Sequence, residues 1–166
     1  MTGFRYIGWA EYGKLTEALA SKVGSSGRRF DLVVGISRGG IPVAMVVADR
    51  LGYKLDTVTV RSYSGIAQRG SVRILSALTE PVKGKSVLAV DDLVDQGDTM
   101  ARVRAFLKEK GAKRVEAAVI FKKPWSKDQP EYFIEATEDW IVFPFELNEV
   151  DTLRKAREVG VGSSKE

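Results

Sequence analysis

Two carboxylates stand side by side at Asp91 and Asp92, directly after the apolar run Val87-Leu88-Ala89-Val90, and a third follows at Asp95. Gln96, Gly97, Asp98 and Thr99 come next, a short polar loop whose end opens a helix. Backbone N–H groups at such a helix start can cradle a phosphate, and a glycine lets the chain approach it closely. Acids beside a phosphate would repel it unless they serve another part of the same ligand. A sugar diol or Mg2+ resolves that conflict. A second polar break, Ser37-Arg38-Gly39-Gly40, follows the apolar run Leu32 to Ile36. Arg38 offers charge-assisted hydrogen bonds, and the glycines permit exposed N–H groups, so this loop also suits an anion.

The chemistry is narrowed further by two absences: the chain has no His and no Cys. That excludes thiolate zinc sites, disulfide frameworks, thiol nucleophiles and a histidine general base. Catalysis must then rest on carboxylates, Lys, Arg, hydroxyls, backbone dipoles or a metal held by oxygen. Lys and Arg number 26 against 22 Asp and Glu, a net charge of +4. A modest basic excess fits an anionic ligand, whether phosphate or nucleic acid. The basic residues are scattered rather than gathered in one patch, which argues against a nucleic-acid partner. Asn148 is the only Asn, and with few Gln and abundant charges this composition suggests a thermophilic source. No apolar run has the length of a membrane span, and the first residues lack a signal-peptide pattern, so a cytoplasmic location is expected.

The elements that must position these loops are legible from periodicity. The length of 166 residues fits one domain spanning 1–166. Trp9 to Val23 reads as an amphipathic helix with Leu15, Ala18, Leu19 and Val23 on one face. Leu32–Ile36 and Ser86–Val90 read as buried strands, each delivering its polar loop into a helix, Ile41–Leu51 and Thr99–Lys110 respectively. Leu55–Val60 and Val115–Phe121 complete the strands. Strand–loop–helix units repeated in one chain predict an α/β fold with a central, mostly parallel sheet flanked by helices. Ser64–Ser71 is polar and glycine-bearing, a natural mobile loop. From Lys122 onward the chain is aromatic-rich and proline-punctuated, which reads as a small hood over about 122–150 appended to the sheet. The tail 160–166 reads as disordered.

The segment Val87–Thr99 resembles the motif by which type I phosphoribosyltransferases bind 5-phosphoribosyl-1-pyrophosphate (PRPP). That motif has four apolar residues, two acids, two or three variable positions and Thr-Gly-x-Thr. Here Gln96 stands in place of the first Thr, which removes a hydroxyl donor whose part the amide could take. From Tyr6 to about Glu146 the chain resembles the small xanthine–guanine phosphoribosyltransferases of the 6-oxopurine subgroup. The closer likeness rests on Ser37–Gly40, Asp91–Asp95, Phe121-Lys122-Lys123-Pro124 and Asp139-Trp140-Ile141.

The resemblance implies purine salvage: transfer of the phosphoribosyl group from PRPP to N9 of guanine, xanthine or hypoxanthine, releasing pyrophosphate and the nucleoside 5′-monophosphate. It implies that Asp91 and Asp92 hold the ribose hydroxyls, with Asp92 also near Mg2+ as cofactor, and that Asp95, Gln96, Gly97, Asp98 and Thr99 hold the 5′-phosphate. Ser37, Arg38 and Gly39 would bind the pyrophosphate, joined by Ser62 and Tyr63 at the base of the lid and by Arg69 within it. Asp95 would be catalytic, taking or relaying the purine N7 proton. Lys123 would donate to O6, a preference that follows because an ammonium is donor-only. Trp140 would stack on the base, and the backbone at Ile141 would read the position-2 group. Lys122 competes for the O6 role, since neighbours on a strand point to opposite faces. Family likeness and general symmetry both imply a homodimer. Two other readings are an adenine-specific enzyme, which Lys123 argues against, and a PRPP- or nucleotide-sensing regulator of the same fold.

Overall fold

The computed structural model describes residues 3–63 and 71–146. The chain packs as two units, one of Leu15–Thr137 and one combining the residues up to Lys14 with those from Glu138 onward.

The larger unit is built on a six-stranded sheet. In chain order its elements are β2 (Leu32–Ser37), α2 (Gly40–Leu51), β3 (Lys54–Tyr63), β4 (Ser71–Ile74), β5 (Ser86–Val94), α3 (Asp98–Glu109), β6 (Arg114–Lys122) and β7 (Tyr132–Ala136). The strand order is β4-β3-β2-β5-β6-β7. Every pairing is parallel except β3 with β4. Strands β2 and β6, and β5 over Val87–Val90, are almost wholly buried, as their continuous apolar runs require when both faces are covered.

Alternate residues of β2 meet different helices. Leu32, Val34 and Ile36 share a core with Met100, Val103, Phe106 and Leu107 of α3. Gly35 instead lies against Ala44 of α2, where an added Cβ would come within 2.8 Å of the alanine Cβ. The two helices therefore cover opposite faces. This follows from the right-handed crossovers β2-α2-β3 and β5-α3-β6, which run outward in opposite directions from the sheet centre. The strand order reverses between β2 and β5, and in open α/β sheets a ligand crevice forms at the carboxyl ends of such a pair.

The smaller unit pairs β1 (Phe4–Tyr6) in parallel with β8 (Trp140–Val142). Ile7 N–H donates to the Val142 carbonyl at 2.9 Å, and Trp140 N–H to that of Gly3 at 2.8 Å. Tyr12, Phe143 and Phe145 form an aromatic cluster with ring centroids 5.5–5.9 Å apart. Helix α1 (Trp9–Ser25) begins in this unit and continues into the larger one.

Three details differ from the expectations above. On α1 the buried face is Tyr12, Thr16, Leu19, Ala20 and Val23, while Ala18 is exposed, because the stripe turns by a residue from the purely apolar pattern. Strand β5 runs on through Asp91 and Asp92 to Val94, since Leu93 and Val94 still pair with Phe121 and Lys122. The segment 122–137 is no appendage: β7 hydrogen-bonds along β6 as the sheet's edge strand. Its half-exposed pattern hid the strand from periodicity. The aromatic cluster instead draws on residues near the start of the chain. Among the described residues no helix is long and apolar enough to cross a membrane. The expected lid loop with Arg69, and the tail 160–166, lie outside the described residues.

Candidate active site

The carboxyl ends of β2 and β5 bring two of the predicted loops into direct contact. Gly39 packs on the Asp92 side chain, and a Cβ built there would sit 2.5 Å from the carboxylate carbon. Gly40 abuts the strand itself: its Cβ would lie 2.8 Å from Asp91 Cα and closer still to the Val90 carbonyl oxygen. Only glycine admits this approach. Asp91 and Asp92 are half-buried, and one Asp91 oxygen accepts the Asp92 N–H at 3.0 Å. Arg38 is exposed beside them, Ser37 is half-buried, and the peptide joining the two is cis.

Beyond Asp92 the chain lines a cleft of about 320 Å³, bounded by Val72 of β4, Asp91 and the stretch from Leu93 to Met100. The predicted phosphate loop, Asp95 to Thr99, thus forms one wall. Gly97 precedes α3 with φ of 94°, in the left-handed region that other residues rarely adopt. It is also pressed against the loop after β6, 2.5 Å from Asp128 N and 2.9 Å from Ser126 Oγ by the position of a notional Cβ. The first N–H groups of α3 have no acceptor within the helix, which equips the loop for an anion.

Lys123 follows the end of β6 and is only 6% exposed. Its backbone N–H donates to the Val94 carbonyl at 2.9 Å, which fixes it at the end of β5 beside the predicted phosphate loop. Lys122 points elsewhere, donating to Gln129 at 2.7 Å and resting 4.0 Å from the Phe133 ring centroid. Of the two lysines, Lys123 is the one tied to this loop by its own backbone. Trp140 is 40% exposed on β8, with Phe4 at 6.5 Å, and Ile141 is buried opposite Arg5. Both belong to the smaller unit. Ser62 and Tyr63 end β3.

Sequence reasoning missed Trp125, whose indole N–H donates to Asp95 Oδ1 at 2.9 Å. Its position directly after Lys123-Pro124 was the available signal. It also missed Arg104, which braces the loop bearing these residues. Arg104 donates to both Glu131 oxygens at 3.1 and 2.8 Å and pairs with Asp128 at 3.1 Å. Burial alone would raise the Glu131 pKa, but hydrogen bonds from Arg104 and the Ala117 N–H outweigh it and hold the carboxyl below its ordinary value. A depressed carboxylate stabilises the fold fully above the unfolded value, about 4.3 for Glu, and loses that contribution as pH falls through the folded value. Thermal melts of Glu131→Gln should therefore lie below wild type at pH 7, with the gap closing below about pH 4.3. Solvent screening of this partly exposed pair limits the neutral-pH gap to about 1 kcal/mol. A gap independent of pH would contradict the assignment.

Among the described residues no three His, Cys, Asp or Glu converge to hold a metal by themselves. The paired carboxylates Asp91 and Asp92 are nevertheless hard oxygen donors at the cleft. They fit Mg2+, which characteristically takes one or two carboxylates and completes its shell with water and substrate phosphate oxygens.

Comparison with known proteins gives the family of this chain. A xanthine-guanine phosphoribosyltransferase from Idiomarina loihiensis is 30% identical over 146 residues, 86% of this chain and 87% of the relative. The solved purine phosphoribosyltransferase of Pyrococcus horikoshii Ot3 matches with a TM-score of 0.79 at 31% identity, over 87% of this chain and 94% of that one. The xanthine-guanine-hypoxanthine phosphoribosyltransferase of Helicobacter pylori shares the fold, with a TM-score of 0.75 at 20% identity over 92% of this chain and 99% of that one. Residues 8–151 match the phosphoribosyl transferase domain, and with its parallel sheet and the two loops meeting at Gly39 and Asp92, the chain belongs to that family and has the type I phosphoribosyltransferase fold.

Proposed function

We propose that this enzyme is a 6-oxopurine phosphoribosyltransferase of purine salvage, using PRPP and guanine, xanthine or hypoxanthine. The observation that carries the reading is the seating of Gly39 on Asp92, which brings the Ser37–Gly40 loop and the Asp91–Asp92 carboxylate pair into one crevice. A molecule bearing phosphate, ribose and pyrophosphate in sequence matches that order of groups.

In this reading the loop from Asp95 to Thr99 holds the 5′-phosphate through backbone N–H groups, while Asp91 and Asp92 accept from the ribose hydroxyls. Ser37, Arg38 and Gly39 grip the pyrophosphate, with Ser62, Tyr63 and Arg69 contributing from the β3 side. Bound Mg2+ would neutralise pyrophosphate charge next to Asp92. The N9 lone pair forms the bond to C1′ as the bond from C1′ to the pyrophosphate oxygen breaks, through an oxocarbenium-like ribosyl cation. The N7 proton passes to Asp95 and then to solvent. Such a transition state needs fixed charges and exclusion of water rather than a covalent nucleophile, so the absence of His and Cys costs nothing. Lys123 donates to O6, Trp140 stacks on the base, and the backbone at Ile141 reads the position-2 substituent. The working form is a homodimer in the cytoplasm.

A steady-state comparison of adenine, guanine, hypoxanthine, xanthine and uracil with PRPP and Mg2+ tests this. Turnover of one or more 6-oxopurines is expected well above that of adenine and uracil. Adenine turned over much faster than guanine and hypoxanthine would overturn it.

A further inference from the structure

Val94 at the end of β5 and the next two residues, Asp95 and Gln96, are each held by an alternate residue of the segment after β6. Lys123 N–H donates to the Val94 carbonyl at 2.9 Å, and Lys127 N–H to the Gln96 carbonyl at 3.1 Å. Between these two backbone bonds, the Trp125 indole N–H reaches Asp95 Oδ1 at 2.9 Å, the one rung made by side chains. The backbone bonds hold the loop; the middle bond acts on the carboxylate alone. It occupies one oxygen of Asp95 and leaves the other for a ligand. An indole N–H is a donor only, so it restrains the carboxylate without offering it a competing proton acceptor. The same indole ring lies 5.7 Å from the Lys123 Nζ, within cation–π range.

These contacts gain meaning from the shape of a 6-oxopurine, whose O6 and N7 are neighbours on one edge. Two protein groups that serve this edge, one anionic and one cationic, would attract each other and collapse into an ion pair if left free. A rigid aromatic beside both, bonded to one and facing the other, would keep them apart.

We propose that Trp125 is a positioning residue of this active site, holding the Asp95 carboxylate and the Lys123 ammonium at the separation that the N7 and O6 atoms of the purine require. The proposal rests on the 6-oxopurine reading above. Trp125 is 43% exposed and carries no part of the sheet core, so Trp125→Phe keeps the fold and the ring while removing the N–H.

A double-mutant cycle of Trp125→Phe with Asp95→Ala isolates the coupling, read as kcat and as KM for PRPP with guanine or whichever base is turned over fastest. In the wild-type background Trp125→Phe should lower kcat about tenfold, the value of a hydrogen bond to a charged group. KM for PRPP should stay within about twofold, because the interaction serves the chemical step. In the Asp95→Ala background the same substitution should cost less than about twofold. A merely structural tryptophan would give equal losses in both backgrounds, and that result overturns the proposal, as does undiminished kcat in Trp125→Phe alone. Should Asp95→Ala retain wild-type turnover, or should the wild type turn over no base, the underlying reading fails and Trp125 with it. Loss in Asp95→Ala without loss in Trp125→Phe removes only the role of Trp125.

Discussion

Replacing Asp95 with asparagine lowers turnover by about 10²-fold or more, the scale of a lost general base. The substitution is nearly isosteric, and the asparagine carbonyl can still accept the Trp125 N–H that Asp95 Oδ1 accepts at 2.9 Å. Asp95 is exposed, so no buried charge is removed and the fold should melt as before. What disappears is the proton acceptor that the proposed function places beside N7 as N9 attacks. KM for PRPP should change little, since in the proposed function the 5′-phosphate is held mainly by backbone N–H groups in the following turn. Steady-state kinetics with a 6-oxopurine, alongside a thermal melt, separates these effects. Unchanged turnover would rule out a proton-transfer role and show that the charge at Asp95 is not needed either.

Adding one methyl group at Gly39 should damage PRPP use severely while sparing stability. The new Cβ would overlap the Asp92 carboxylate, a side chain that can rotate away. The protein folds, but the carboxylate leaves the place where it would meet the ribose and metal. A misplacement on the ångström scale costs about 10²-fold, so kcat/KM for PRPP should fall by roughly that factor. Gly40→Ala makes the informative contrast. Its Cβ meets backbone, the Val90 carbonyl and Asp91 Cα, neither of which can move without distorting β5. That variant should lose about 1–3 kcal/mol of stability, as overpacked sites do. Chemical denaturation and PRPP kinetics on the pair would give opposite orderings. If Gly39→Ala were fully active, the carboxylate would not need its observed position.

Much of this architecture was legible beforehand because strongly buried parallel strands carry their own signature. Leu32–Ile36 and Val87–Val90 are apolar throughout, and each is followed at once by residues that could do nothing useful inside a core. Partly buried elements carry no such signature. Strand β7 has only Tyr132 buried and four residues more exposed, so its composition resembled a loop. On α1, Thr16 is buried although polar and Ala18 exposed although apolar, a swap that residue type cannot announce.

Lys122 and Lys123 meet the same boundary. Period-2 alternation says that the two ammonium groups part company, yet gives no means of choosing between them. Gln129 and Phe133, which engage Lys122, lie on the far side of a loop whose path depends on β7 joining the sheet edge.

By itself, then, the sequence determined the chemistry and the order of its carriers. Two strand-borne polar loops with their acids and glycines are local facts, encoded within a dozen residues each, and the lack of His and Cys is a plain count over the chain. Tertiary structure alone decided which of those groups meet. Gly39 touches Asp92 because β2 and β5 are neighbours in the sheet, and Trp125 reaches Asp95 because β6 lies beside β5. Strand order is a property of the packed chain, set by crossover handedness and by the burial of both sheet faces, and no periodicity along the sequence records it.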